Sequence, residues 1–182
     1  LTKMPVDMKK LIVSFAIISA LVIGCKTNTK SNDAKTLTVA LEPKSNSKVA
    51  GTATFVEKNG KVTFTAKITG LEPGVHAIHI HEKADCTAAD GSSAGGHWNP
   101  TFKKHGKWGV AEYHKGDIGN FTADAKGNGT ITLTTDEWCV GCGDSNKDVL
   151  GKGLIVHSGA DDFTTQPTGN AGGRVACAGI IK

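Results

Sequence analysis

The chain has 182 residues, a formal net charge of +4 and 5% aromatic residues. That length suits one folded domain with its own core, and the charge is too balanced for a nucleic-acid partner. Residues 1–24 hold three of the 21 basic residues (Lys3, Lys9, Lys10) and one of the 17 acidic ones (Asp7), so the remainder stands at about +2. The 23 glycines, spread through Thr-rich and Val-rich segments, exclude a helical bundle and describe a β protein with many turns.

In chain order, residues 1–7 read as an extension upstream of an initiator Met8. Met8-Lys9-Lys10, the apolar run Leu11 to Ile23 and the sequence Leu21-Val22-Ile23-Gly24-Cys25 then resemble a lipoprotein signal ending in a lipobox. The run is short for a bilayer span, so cleavage is expected, with a lipid on Cys25 and residues 1–24 removed as a leader. An ordinary secretory leader with a free Cys25 is the alternative. Either way the chain is exported and disulfides are permitted; with the lipid it would be a cell-envelope lipoprotein facing the periplasm. Residues 25–35 are small, polar and without periodicity, as in a flexible tether.

The folded domain is expected over 36–182. Short alternating runs recur at Thr36–Leu41, Val49–Val56, Lys61–Thr69, His76–His81, Ile118–Ala125, Thr130–Thr135, Leu150–His157 and Arg174–Ile181. Turn signals lie between several of them: Asn59-Gly60, Glu72-Pro73-Gly74 and Lys126-Gly127-Asn128-Gly129, the first and last placed as hairpin turns. The predicted architecture is all-β, an eight-stranded antiparallel barrel or sandwich. Segments 82–117 and 158–173 exceed ordinary connection length, and long loops on a β scaffold are where function usually sits.

All seven histidines fall inside or beside those two loops. His79 and His81 share one face of a predicted strand, and His76 has the opposite parity. Two imidazoles on one face make half a metal site. Three further series carry the pattern on: Gly95-Gly96-His97-Trp98-Asn99-Pro100, His105-Gly106 and His114-Lys115-Gly116-Asp117; then Val156-His157 and Gly169-Asn170-Ala171-Gly172-Gly173-Arg174 follow. With Gly74 to Glu82 before them, these motifs resemble the signature series of the copper/zinc superoxide dismutases, from about Thr36 to Lys182.

The resemblance implies a Greek-key barrel and two metals per chain, one Cu and one Zn. It implies copper on His79, His81, His97 and His157, and zinc on His97, His105, His114 and Asp117, with His97 bridging the two and relaying a proton. The donor chemistry agrees: imidazoles suit Cu(II) and Zn(II), and three imidazoles with one carboxylate close a four-ligand structural zinc site. It further implies a structural His76, an Asp161 that orients one ligand of each metal, an Arg174 that attracts superoxide, a Thr168 that narrows the channel, and a Cys86–Cys177 disulfide. The spacing from Cys86 to His97 is similar to that of bacterial members. Thr168 also reads simply as a turn residue after Pro167.

Two features depart from the family pattern. Cys139 and Cys142 lie outside its signature and are open to three readings: a local disulfide, which an exported chain favours; free thiols able to handle copper; or a thioredoxin-like pair, for which no βαβ context exists. The segment Ser158 to Gly173 contains no lysine, so attraction of superoxide would rest on Arg174, the metals and Lys103, Lys104, Lys107 or Lys115. The reading is therefore an enzyme that dismutes superoxide, with a non-enzymatic copper-binding or copper-delivery protein as the alternative. Whether it is a monomer or a homodimer is left open.

Overall fold

The structure is a computed structural model that describes Thr2 and residues 33–182. The leader, Cys25 and most of the tether lie outside the described residues.

Eight strands form in the predicted order: β1 (Lys35–Pro43), β2 (Ala50–Lys58), β3 (Lys61–Thr69), β4 (Gly74–His81), β5 (Gly119–Ala123), β6 (Gly129–Thr135), β7 (Gly153–His157) and β8 (Arg174–Gly179). They close into an antiparallel barrel ordered β1-β2-β3-β6-β5-β4-β7-β8. The seam is Glu42 and Pro43 against Cys177 and Ala176. Asn59-Gly60 turns β2 into β3 with φ of 53° and 74°. Two positive φ values in succession make the turn whose twist matches the flanking strands, and Asn-Gly is the pair that tolerates them. The β5–β6 turn is held by Asp124, whose Oδ1 accepts the amides of Lys126 and Asn128 at 2.8 and 2.9 Å. By contrast, residues 70–73 do not form a hairpin. β3 pairs with β6, and β4 with β5 and β7, so this link crosses the barrel end as a Greek key requires.

Alternation fills the barrel. Phe55, Phe64, Ile78, Ile80, Leu154 and Val156 are fully buried in one cluster with Trp138. Phe55, Phe64 and Trp138 pack with tilted or edge-on rings, their centroids 5.1–6.4 Å apart. On β4 the other parity is buried too, because loops cover it: His79 and His81 are wholly inaccessible. A smaller apolar cluster of Ala94, Ile155 and Cys177, with Cys86 against it, lies beneath the first long loop.

The structure differs from expectation in β7, which starts at Gly153. Leu150 to Lys152 are a turn closed by Lys152 N donating to Val149 O at 3.3 Å, with Gly151 at φ 80°. This makes 136–152, which carries Cys139 and Cys142, a third long connection. Among the described residues no helix is long and apolar enough to cross a membrane.

Candidate metal centre

β4 organises the site. Its residues His79 and His81 project under the first long loop, and that loop is stitched to the strand by backbone bonds. Ile80 N donates to Gly116 O at 2.9 Å, Trp98 N to Ile80 O at 2.9 Å and Glu82 N to Gly96 O at 3.0 Å. His97 consequently lies opposite His81 in an isolated bridge. A side chain at Gly116 has no room, because a Cβ there would run into Ile80 O and come within 3.1 Å of Trp98 N. His157, at the end of β7, joins from the strand beside β4.

These placements bring two donor groups together. His79, His81, His97 and His157 form one; His97, His105, His114 and Asp117 form the other; within each, the candidate donor atoms lie within 4.8 Å of one another. All seven residues are buried.

Hydrogen bonding separates the two nitrogens of each ring. His79 Nε2 faces Asp161 Oδ2 at 2.9 Å, His81 Nδ1 faces Gly95 O at 2.9 Å and His157 Nδ1 faces Gly172 O at 3.3 Å. His105 Nε2 faces Asp161 Oδ1 at 2.9 Å and His114 Nε2 faces Lys103 O at 3.1 Å. Each of these contacts is with an acceptor, so the ring proton is held there and the lone pair is left on the other nitrogen. Those other nitrogens, His79 Nδ1, His81 Nε2, His157 Nε2, His105 Nδ1 and His114 Nδ1, are buried without a well-directed hydrogen bond, as is His97 Nε2; of these, His105 Nδ1 and His114 Nδ1 lie beside a fellow member of their group, 3.0 and 3.3 Å from the Asp117 carboxylate. Unpaired buried polar atoms are costly and rare, and six converging in two groups fit a pair of cations. His97 differs from the other five. Its Nδ1 lies 2.8 Å from Asp117 Oδ1 in the second group, which leaves the unpartnered Nε2 as the nitrogen available to the first.

Burial pushes His97 down to about 4 against the pull of Asp117, and takes His157 down to about 3 with His79 adding to the effect. Burial, then His97, also holds His81 well below its ordinary value. These three imidazoles are therefore neutral near pH 7, the form that ligates a metal. Burial works the same way on His105, but the carboxylates of Asp117 and Asp161 outweigh it and raise the group to about 9. Both carboxyls resist burial and stay well below the usual range, Asp117 through His105, His114 and His97, and Asp161 through His105 and His79. Asp117 is therefore ionised in the second group, and a cation bound there would take the place of the proton that His105 holds.

Asp161 joins the groups, with one oxygen on each of His79 and His105. It is positioned by contacts that sequence reasoning missed. Asn120 clamps its backbone, accepting from Asp161 N and donating to Asp161 O, both at 2.8 Å. Gln166 does the same for His105, accepting from its amide and donating to its carbonyl, both at 2.9 Å. Asn120 lies three residues past the His114 to Asp117 motif, whereas nothing local marks Gln166. Gly169, at φ 71°, packs so closely that a Cβ would run into Asp161 Oδ1 and come within 2.5 Å of His105 Nε2. His76 stands apart from both groups, with Nδ1 on His157 O at 3.0 Å and Nε2 on Glu72 O at 2.8 Å.

Arg174 is half-buried and spans two carbonyls, donating to Gly91 O and Gly95 O at 2.8 Å each. Gly95 O also receives His81, so the guanidinium and a ring of the first group share one acceptor. A cleft of about 370 Å³ opens on His97, lined among others by Thr168, Lys103 and Lys104. Lys107 lies instead over the Phe163 ring, and Lys115 pairs with Glu137. Of the four lysines considered, two face this cleft. Cys86 and Cys177 are bonded, tying the first loop to β8, and Cys139 is bonded to Cys142.

The family model of the copper/zinc superoxide dismutases matches residues 49–180. A protein of Aquifex aeolicus (strain VF5) called superoxide dismutase [Cu-Zn] 2 is 38% identical over 137 residues, covering 74% of this chain and 80% of that protein. The matched span contains all six ring nitrogens left without partners and the carboxylates that orient them, so geometry and ancestry point the same way: the chain belongs to the copper/zinc superoxide dismutase family.

Proposed function

We propose that this superoxide dismutase holds copper on His79, His81, His97 and His157 and zinc on His97, His105, His114 and Asp117, one ion of each per chain. The observation that carries the assignment is the set of six buried, unpartnered ring nitrogens, divided into two groups that share His97. Bound copper supplies one-electron redox chemistry and bound zinc fixes the loop, so that two superoxide anions and two protons become one O₂ and one H₂O₂. The residues around the ions have separate tasks. His97 Nε2 is where a proton can be held and returned, while Nδ1 faces the second group, 2.8 Å from Asp117 Oδ1, where zinc would hold the ring. Arg174 presents a permanent positive charge to a small anion. Lys103 and Lys104 add to that field from the cleft wall, and Thr168 narrows the opening. Asp161 and His76 bind no metal; they orient ligands and loops.

The Leu21 to Cys25 sequence supports a lipid-anchored form, exported to the cell envelope and facing the periplasm, and the two disulfides suit an oxidising compartment. The ligand division is tested by His105→Ala in protein refilled with both ions. Zinc content should fall while copper stays near one per chain, as measured by metal analysis. Equal loss of both ions would show that the division is wrong.

A further inference from the structure

The β6–β7 connection carries a second sulfur pair that the metal centre does not use. Trp138 roots the segment in the core, and its Nε1 donates to Lys115 O at 2.9 Å. Cys139 follows, 6% exposed, its amide donating to Lys147 O at 2.9 Å and its carbonyl accepting Val149 N at 3.1 Å. From there residues 141–147 are exposed, Cys142 among them. Hydrogen bonds restrain the loop alongside its disulfide. Asp148 Oδ1 accepts the amides of Gly141 and Leu150 at 2.9 and 3.0 Å, and Oδ2 accepts Gly143 at 2.8 Å. The bonded cysteines have Cα atoms 6.0 Å apart, and the Asp148 bonds would keep them near one another once the sulfurs part.

We propose that Cys139–Cys142 is an exchangeable disulfide whose reduced form is a separate, solvent-facing site for a soft monovalent cation, Cu(I). Access decides which bridge opens. A thiolate from outside can reach exposed Cys142, whereas Cys177 is wholly buried in β8 and Cys86 packs against Ala94 and Ile155. The reductant is a dithiol. One of its thiolates attacks Cys142 Sγ, the Cys139–Cys142 bond breaks, and the electron pair leaves on Cys139 Sγ, which takes a proton. The second thiol of the reductant then attacks its own sulfur in the mixed disulfide and releases Cys142. Two electrons and two protons pass to the protein, and the reductant leaves as its disulfide.

The donor set selects the ion. Cys139, Cys142 and Asp148 place their candidate donor atoms within 4.8 Å of one another, but both oxygens of Asp148 already accept backbone amides. Two sulfurs remain, too few to close a zinc site, and paired thiolates favour Cu(I). Binding releases the two thiol protons and leaves a bis-thiolate complex.

The test uses the full chain with its histidine sites filled. The protein is treated anaerobically with dithiothreitol, freed of it, and titrated with Cu(I) against the chromophoric chelator bicinchoninate, with disulfides mapped on non-reduced peptides. Cys139–Cys142 should open while Cys86–Cys177 stays closed, and the reduced protein should take one Cu(I) more than the untreated protein. Cys139→Ser/Cys142→Ser should take none beyond its untreated level, and iodoacetamide applied to the reduced wild type should block the uptake. Dismutase activity should be the same in the double variant, which separates this site from the histidine centre. Simultaneous opening of both bridges, no extra Cu(I), or uptake that survives alkylation would overturn the proposal.

Discussion

Arg174 shows what a single residue contributes when two demands meet on it. Its guanidinium is fixed by two carbonyls, and one of them, Gly95 O, also holds His81 in the tautomer that leaves Nε2 free. In Arg174→Ile the rate constant for superoxide should fall about tenfold, equivalent to roughly 1.4 kcal/mol, with copper and zinc content unchanged. Arg174→Lys should fall between the two, since an ammonium keeps the charge but cannot span both carbonyls. Added salt should slow the wild type more than the isoleucine variant, because screening acts on the attraction the charge supplies. Pulse radiolysis across a range of ionic strength measures both effects, and equal rates with equal salt dependence would remove this role for Arg174. The grouping of the histidines was legible in the sequence because strand parity and dense motifs mark them. Gln166 was not legible. Its two bonds to the His105 backbone cross 61 positions, and a contact at that range leaves no local pattern.

At the scale of elements, strands were easier to read than the paths between them. Alternation and Asn59-Gly60 marked β2 and β3 closely, but Leu150 to Lys152 continued an apolar pattern and still turned, because Val149 O and the positive φ of Gly151 close a turn there. That miss concealed the length of the 136–152 connection. The loop carrying His97, His105 and His114 is held in two ways: by backbone bonds to β4 and by Cys86–Cys177, which closes a separation of 91 residues. A loop of that size gives a chain-entropy ceiling of about 4–5 kcal/mol. Cys86→Ser/Cys177→Ser should therefore lower the urea midpoint of the metal-free protein clearly and leave the barrel folded. Circular dichroism during a urea titration measures this, and an unchanged midpoint would mean that the backbone stitching alone holds the loop.

For the whole molecule, the closed barrel leaves function to what is placed on it. Donors from β4, β7 and the 82–118 loop meet in two adjoining groups, while Asp161 couples those groups from the loop after β7. The lipid anchor proposed at Cys25 is independent of that chemistry. Expressed in a bacterium that processes lipoproteins, the full chain should partition into detergent with a lipid mass on Cys25, and Cys25→Ser should abolish that mass. Mass spectrometry showing an unmodified Cys25 at the mature N-terminus would contradict the anchor and leave the enzyme untouched. The central claim is that one imidazole, His97, serves both ions. Anomalous diffraction at the copper and zinc edges, from crystals of fully loaded protein, tests it most directly. One copper peak should lie against His79 Nδ1, His81 Nε2, His157 Nε2 and His97 Nε2, and one zinc peak against His105 Nδ1, His114 Nδ1, Asp117 and His97 Nδ1. Peaks that leave either nitrogen of His97 without a metal in the oxidised protein, or a copper peak within the Asp117 group, would contradict the account.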